Sequence, residues 1–266
     1  MRVKVPASIA NLGPGFDVLA MAVDLWLEVE AEPAGVADWE FEGEGAELLQ
    51  GSRNPLSVVP MQGWVKNQIP VGVGLGSSAA ARVAAAVLRG SEDPIGEAGR
   101  EEGHFDNVAA AVVGGVVAVV GDEVQSLPIP DLELAVLLAA DPMSTDAARA
   151  ALPAEVDRAD AVFNIARVAS LVHLLHNRDW QRLNVALEDR LHQPQRIPLY
   201  PWVERVMQAA GEAGAYGSAL AGAGPSVVAF CERHLGADVA EAMTRAAPAG
   251  GRGIVTRVTP HGMEAW

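Results

Sequence analysis

Ile69-Pro70-Val71-Gly72-Val73-Gly74-Leu75-Gly76-Ser77-Ser78-Ala79-Ala80 is the stretch on which the reading of the fold turns. A proline-containing apolar lead-in runs into three alternating glycines and two serines. An alanine-rich helical run from Ser78 to Arg89 follows, stopped by Gly90. Glycines let a backbone turn its N–H groups toward one point and let a ligand approach closely. Ser77 or Ser78 can cap the helix, whose first N–H groups have no partner within it. A glycine loop that feeds a helix N-terminus is a site for phosphate. Three better-known loops are excluded: no Gly-Lys-Ser/Thr follows, the glycine spacing is not G-x-G-x-x-G, and no Gly-x-Ser-x-Gly surrounds Ser77.

The joined pattern from Pro70 to Ala80 resembles the phosphate-binding loop of the GHMP kinases, the superfamily of galactokinase and of homoserine, mevalonate and phosphomevalonate kinases. That resemblance implies ATP contacts from Pro70, Gly72, Gly74, Leu75, Gly76, Ser77 and Ser78.

Composition is that of a globular protein and not of a disordered one. The chain has 266 residues, half of them hydrophobic and a fifth charged, enough for one large domain or two small ones. Its formal charge of −15, from 34 acidic and 19 basic residues, repels nucleic acid and anionic membranes, so neither is expected as a partner. An anionic nucleotide then requires locally focused positive potential from helix N-termini, backbone N–H groups, a few arginines and Mg²⁺. Cys231 is the only cysteine, which excludes an internal disulfide and multi-cysteine zinc sites. The opening Met1-Arg2-Val3-Lys4-Val5-Pro6 has no signal-like apolar segment, and no run approaches a membrane span. A cytoplasmic location is the expectation.

In chain order, Val3–Pro6 reads as the opening of an edge strand. Pro6-Ala7-Ser8-Ile9-Ala10-Asn11-Leu12-Gly13-Pro14-Gly15-Phe16-Asp17-Val18-Leu19 follows, polar and glycine-bearing between apolar flanks. Taken alone, Asn11 and Asp17 are turn formers. The whole stretch closely resembles the first motif of homoserine kinases, which implies that both face the substrate, Asp17 as acceptor for an ammonium group. Val23 to Glu30 interleaves apolar and acidic residues like a half-exposed strand, and residues 33–56 read as short strands and loops. By the same resemblance Asn54 touches adenine, although Pro55 and Pro60 leave little room for the helix the family has there.

A second helix is expected from about Ile95 to Glu102, reached so quickly that the chain reads as a trimmed version of the fold. Glu102-Gly103-His104-Phe105-Asp106-Asn107-Val108-Ala109-Ala110 resembles the family's Glu-Gly-His-Pro-Asp-Asn-Val-Ala-Pro, with Phe105 and Ala110 replacing prolines. The match implies that Glu102 joins Ser77 or Ser78 around Mg²⁺, with Glu101 and Glu97 as rivals, and that His104 and Asn107 lie beside the substrate. Strands are expected at Val116–Val120 and Leu132–Leu138, with a domain boundary at Pro128-Ile129-Pro130. Beyond it, Thr145-Asp146-Ala147-Ala148-Arg149 and Leu152-Pro153 match a Thr-x-x-Ala-Arg…Leu-Pro segment. Helices are expected at about Glu155–Asn177 and Trp180–Leu191. Asp189-Arg190-Leu191-His192-Gln193-Pro194-Gln195-Arg196 resembles Asp-x-Leu-His-x-Pro-Tyr-Arg. These segments imply that Thr145 lies near the transferred phosphate and that Arg149 and Arg196 hold a carboxylate through their guanidinium forks. His173 and His176 sit three apart on a Leu-rich helix without an evident third metal ligand, so they read as core or surface histidines. Leu220-Ala221-Gly222-Ala223-Gly224-Pro225-Ser226 resembles the third GHMP motif, with Ala221 for the usual Ser, and implies that Gly222 and Gly224 pack near the phosphates. A helix and a strand close the chain at Ala237–Arg245 and Ile254–Val258.

Together the motifs resemble homoserine kinases more than GHMP kinases at large. The implied fold is α+β: an ATP-binding domain over residues 1–130 with a left-handed βαβ crossover, then a ferredoxin-like domain over 131–266. The implied reaction is ATP-dependent phosphorylation of the side-chain hydroxyl of L-homoserine, a step of threonine biosynthesis, with Mg²⁺ as cofactor. A zwitterionic substrate needs a cation for its carboxylate and an anion for its ammonium, which Arg149, Arg196 and Asp17 supply. No Lys–Asp pair of the mevalonate-kinase sort is evident. Asn107 stands where a catalytic Asp would, so it orients the hydroxyl and the phosphate takes the proton, with Asp106 as rival base. Members of the family often dimerise, so a homodimer is among the expected partners. The alternatives are another GHMP small-molecule kinase and a non-catalytic paralogue that binds an amino acid or nucleotide.

Overall fold

The computed structural model describes residues 1–51 and 54–266. Strand β1 (Arg2–Ala10) pairs antiparallel with β2 (Leu19–Pro33), a 15-residue strand long enough to serve two further neighbours along its other edge. β3 (Asp38–Gly43) leads through α1 (Ala46–Gly51) and a 3₁₀ turn (Pro55–Val58) to β4 (Met61–Asn67), which lies parallel to β3 and antiparallel to the second half of β2. The region after Pro33 thus holds a short strand, as expected, and adds a short helix and a 3₁₀ turn. Pro55 suits the first position of its turn, where no N–H is needed.

Three helices follow: α2 (Ser77–Leu88), α3 (Pro94–Glu102) and α4 (Asp106–Val113). Asp93 caps α3 by accepting from the Gly96 amide at 2.8 Å, and Gly103, at φ 82°, ends it. Then β5 (Val116–Val120) pairs with the start of β2 and with β6 (Glu123–Leu127). Helices α2 and α4 pack on β1 and β2.

The second sheet opens with β7 (Glu133–Leu138). Next come α5 (Thr145–Ala150), α6 (Arg158–Asn177), α7 (Leu183–Ala186), α8 (Gln193–Arg196) and α9 (Val203–Glu212). β8 (Gly217–Leu220), β9 (Val227–Cys231), α10 (Gly236–Ala246) and β10 (Arg252–Thr256) complete it, and β11 (Glu264–Ala265) returns to pair with β1. The order β10-β7-β9-β8 is antiparallel throughout, the arrangement of a ferredoxin-like β-α-β-β-α-β unit.

The return of β11 corrects the edge-strand reading of Val3–Pro6. β1 is interior at Val3 and Lys4, and Pro6 is tolerated because the register shifts beside it. One large core joins the sheets, combining Val5, Ile9 and Val29 with Leu134, Val136 and Phe230.

Candidate active site

Between the sheets lies a cleft to which four loop systems contribute. The first is the glycine stretch. Gly72, Gly74 and Gly76 all have positive φ (75°, 89° and 69°), which explains their alternation. A Cβ at Gly74 would overlap the Ala221 carbonyl oxygen, and one at Gly76 would overlap the Ser8 hydroxyl. The loop is thus pressed against the turn holding Gly222 and Gly224, themselves at φ 59° and 82°. Here the structure corrects the capping expectation. The N-cap of α2 is Gly76, with no side-chain cap hydrogen bond. Ser78 Oγ instead donates to Glu102 Oε2 at 2.9 Å. A left-handed glycine cap leaves the first-turn amides of α2 without side-chain partners, facing a cleft that Leu75, Gly76, Ser77 and Ser78 line. Pro70 lies outside it, lining a groove with Lys66 and Arg252 on another face.

The α3–α4 corner is the second system. Gly103 breaks the helix so that Glu102, His104, Asp106 and Asn107 all line the cleft. Phe105 takes the family's proline position by laying its ring over Gly99, where a side chain would overlap it. Asp106 is buried; its Oδ1 accepts from the Asn107 amide at 2.7 Å and faces His104 Nδ1 at 3.0 Å. Burial lowers the His104 pKa, but the Asp106 hydrogen bond and the charges of Asp106 and Glu102 outweigh it, and the net direction is up. Asn107 Oδ1 accepts from the Ser8 hydroxyl at 2.9 Å. Glu102 Oε2 also receives Arg82 Nε. Its rivals point elsewhere: Glu97 pairs with Arg89, and Glu101 with Arg82 and Arg89.

The third system is the loop after β1. Asn11 is buried with its side chain engaged: Nδ2 donates to Gly222 O at 2.8 Å and Oδ1 accepts from the Asp17 amide at 3.1 Å. Asp17 adopts φ 56°, a conformation Asp tolerates better than most residues. Its carboxylate meets Arg149 in a two-pronged pair at 2.6 and 3.0 Å, which raises the Arg149 pKa.

The fourth is α8. Asp189 accepts from the amides of Leu191, His192 and Gln193 and from Asn164 Nδ2. Burial alone would raise its pKa; the charge and hydrogen-bond partners around it bring it below the ordinary value. His192, fully buried, has Nε2 at 2.7 Å from the Gly13 carbonyl. That contact fixes the proton on Nε2 and leaves Nδ1 to accept from Arg196 Nη1 at 3.1 Å. Burial, reinforced by the Arg196 charge, pushes the His192 pKa down despite Asp189, which suits that neutral form. Arg196 is 1% exposed yet lines the cleft. Among the described residues no carboxylate lies within ion-pair distance of it, and burial followed by the Arg149 charge lowers its pKa. Phe16 sits under both guanidinia, 5.6 Å from Arg149 and 5.3 Å from Arg196, and stacks on His192.

Thr145, first residue of α5 behind its cap Ser144, lines both the cleft and an adjoining cavity of about 400 Å³. That cavity is walled by Phe41, Leu49, Pro55 and Leu56, and Asn54 reaches it. The Asn54 carbonyl oxygen of the side chain caps the 3₁₀ turn, accepting from Leu56 and Ser57, while Nδ2 donates to Leu49 O.

The cleft therefore gathers every site residue expected from sequence except Pro70 and Asn54. Ser8, Phe16 and His192 contact lining residues without lining the cleft themselves, and the sequence reading assigned them no role. Phe16 and His192 lie inside recognised motifs, but their importance comes from contacts between segments far apart in the chain.

A homoserine kinase of Moorella thermoacetica is 40% identical to this chain over 86% of each. A homoserine kinase of Thermus thermophilus is 39% identical over 96% of this chain and 94% of its own length. The chain belongs to the homoserine kinase family. Residues 171–249 match the family model for the GHMP kinase C-terminal region, and the two matches together indicate an ATP-dependent kinase that acts on a hydroxyl. The crystal structure of homoserine kinase from Cytophaga hutchinsonii superposes with a TM-score of 0.86 at 27% identity, covering 99% of this chain and 96% of that one. A mevalonate kinase of L. major, 15% identical at a TM-score of 0.71, shares the fold. No helix among the described residues is long and apolar enough to cross a membrane.

Proposed function

We propose that this family member transfers the γ-phosphoryl group of ATP to the side-chain hydroxyl of L-homoserine, the chemistry of a step toward threonine. The observation that carries this reading is the polarity of one cleft. Three left-handed glycines and an uncapped helix N-terminus form one end, and two guanidinia with one carboxylate form the other. The first end suits the anionic tail of ATP, with Gly222 and Gly224 packed behind it. The apolar cavity beside Asn54 and Thr145 suits its base, and its volume lies within the range of small-ligand sites. The second end suits a zwitterion: Arg196 and Arg149 for the α-carboxylate, Asp17 for the ammonium. We assign the phosphate end to residues 1–130 and the carboxylate clamp to residues 131–266.

The donors near Glu102 fit Mg²⁺, a hard cation that takes oxygen ligands and shares them with phosphate. Glu102 and a loop serine, Ser78 being within 2.9 Å of it, would hold the ion, which would neutralise charge on the phosphates. Among the described residues there is no cluster of three His, Cys, Asp or Glu suited to a metal.

In the transfer step the substrate hydroxyl oxygen forms a bond to the γ-phosphorus as the β,γ-bridging bond breaks, and the hydroxyl proton passes to the transferred phosphoryl group. Asn107 orients the hydroxyl. Its Oδ1 is held by Ser8, so Nδ2 is the group left to donate, and an amide is not a base. Thr145 sits near the moving phosphoryl group, and His104 beside the substrate. Phosphoryl transfer depends mainly on positioning and charge stabilisation, so the step does not require a strong base. ADP release measured with homoserine, mevalonate, serine and sugars tests the proposal. Release that depends on homoserine supports it; release with another alcohol alone, or with none, contradicts it.

A further inference from the structure

The groups assigned above to the two charges of the substrate are bound to each other. Arg149 Nη2 and Nη1 grip the two oxygens of Asp17 at 2.6 and 3.0 Å, across 132 residues of sequence, and both side chains line the cleft. Both side chains are about one-third exposed, so the pair is reachable from the cleft. The Phe16 ring lies against both guanidinia, 5.6 Å from Arg149 and 5.3 Å from Arg196. Asn11 fixes the Asp17 backbone from the other side.

We propose that the Asp17–Arg149 pair is a specificity latch that only a ligand carrying both an ammonium and a carboxylate can open without leaving an ion unpaired. A zwitterionic amino alcohol exchanges partners. Its carboxylate replaces that of Asp17 on Arg149, and its ammonium replaces the guanidinium on Asp17. Two charge-assisted contacts are broken and two are made. A hydroxy acid without the amine can take Arg149 only by stranding Asp17. An amino alcohol without the carboxylate can take Asp17 only by stranding Arg149 beside the like charge of Arg196. Selectivity then comes from the contact that a wrong ligand must break, in addition to the contacts that the right one makes.

This inference rests on the assignment of Asp17 and Arg149 to the substrate, and it makes a prediction which that assignment alone does not. Asp17→Asn removes the latch while keeping a side chain that tolerates positive φ. It should weaken homoserine binding yet bind 4-hydroxybutanoate about tenfold more tightly than the wild type does, the scale of one charge-assisted pair, about 1.4 kcal/mol. Calorimetric titration of both proteins with 4-hydroxybutanoate reads this. The converse variant, Arg149→Gln, should gain affinity for 3-aminopropan-1-ol, and it serves if thermal melting shows that Asp17→Asn is unfolded. Equal or weaker binding of the single-charge ligands by the folded variants overturns the latch, even where the wild type phosphorylates homoserine. A wild type that does not phosphorylate homoserine overturns the site assignment instead.

Discussion

Arg196 is the side chain whose state is hardest to account for without a ligand. A buried guanidinium ordinarily has a carboxylate, because removing it from water costs several kcal/mol. Here its partners are His192 Nδ1 and the distant carbonyls of Ala148 and Gly222. On the proposed reading, the substrate carboxylate supplies the missing charge. Arg196→Met should therefore cost roughly 2–5 kcal/mol of homoserine binding, leave ATP binding nearly unchanged, and change the stability of the ligand-free protein by only about 1 kcal/mol. Titration calorimetry and denaturant unfolding check the three parts; unchanged homoserine affinity would show that the clamp is misplaced.

His104 carries the pH dependence of the corner. Its folded pKa lies above 6.5, so the folded state holds the proton more tightly than the unfolded one. The resulting stabilisation is complete below 6.5 and is lost as pH rises through the folded value. Asp106→Asn should lower the His104 pKa, seen in its imidazole proton resonances, and should destabilise the protein more at pH 6 than at pH 8. Because Asp106 is assigned to hold His104 and not to take a proton, this variant should keep most of its turnover. Abolished turnover in a folded variant removes the base-free mechanism.

Among the elements, the glycine loop and α2 are the ones proposed to hold phosphate. Gly74→Ala would hold a Cβ at φ 89° against the Ala221 carbonyl. The expected cost is about 1–3 kcal/mol of stability, with nucleotide affinity lost more than homoserine affinity, measurable by unfolding and by titration of each ligand. The loop shows what the sequence made legible. Its glycine alternation announced the backbone conformation, and the alanine run announced the helix. The serines misled, since a residue that caps helices elsewhere is outranked here by a left-handed glycine that leaves Ser78 to reach Glu102. Long-range pairing was the other hidden quantity. Nothing within Val3–Pro6 indicates that Glu264 and Ala265 return to lie beside it, nor does Asp17 reveal Arg149, because both facts depend on folding over more than a hundred residues.

Across the molecule, the cleft is assembled from both sheets. The loops after β1 and before α2 come from one side, α5 and α8 from the other. Glu44 and Arg252 also pair across the halves, but on an exposed surface, where such pairs contribute little. Arg252→Ala should accordingly alter stability by less than about 1 kcal/mol and leave turnover intact. A larger loss in either would mean that this outer contact, and not the cleft, governs how the halves meet.

A crystal structure with a non-hydrolysable ATP analogue and homoserine bears most directly on the account. The account predicts phosphate oxygens against the amides of residues 74–78, with the homoserine carboxylate on Arg196 and Arg149 and its ammonium on Asp17. An analogue bound with its phosphates away from that loop, or homoserine bound with its charged ends elsewhere, would contradict it.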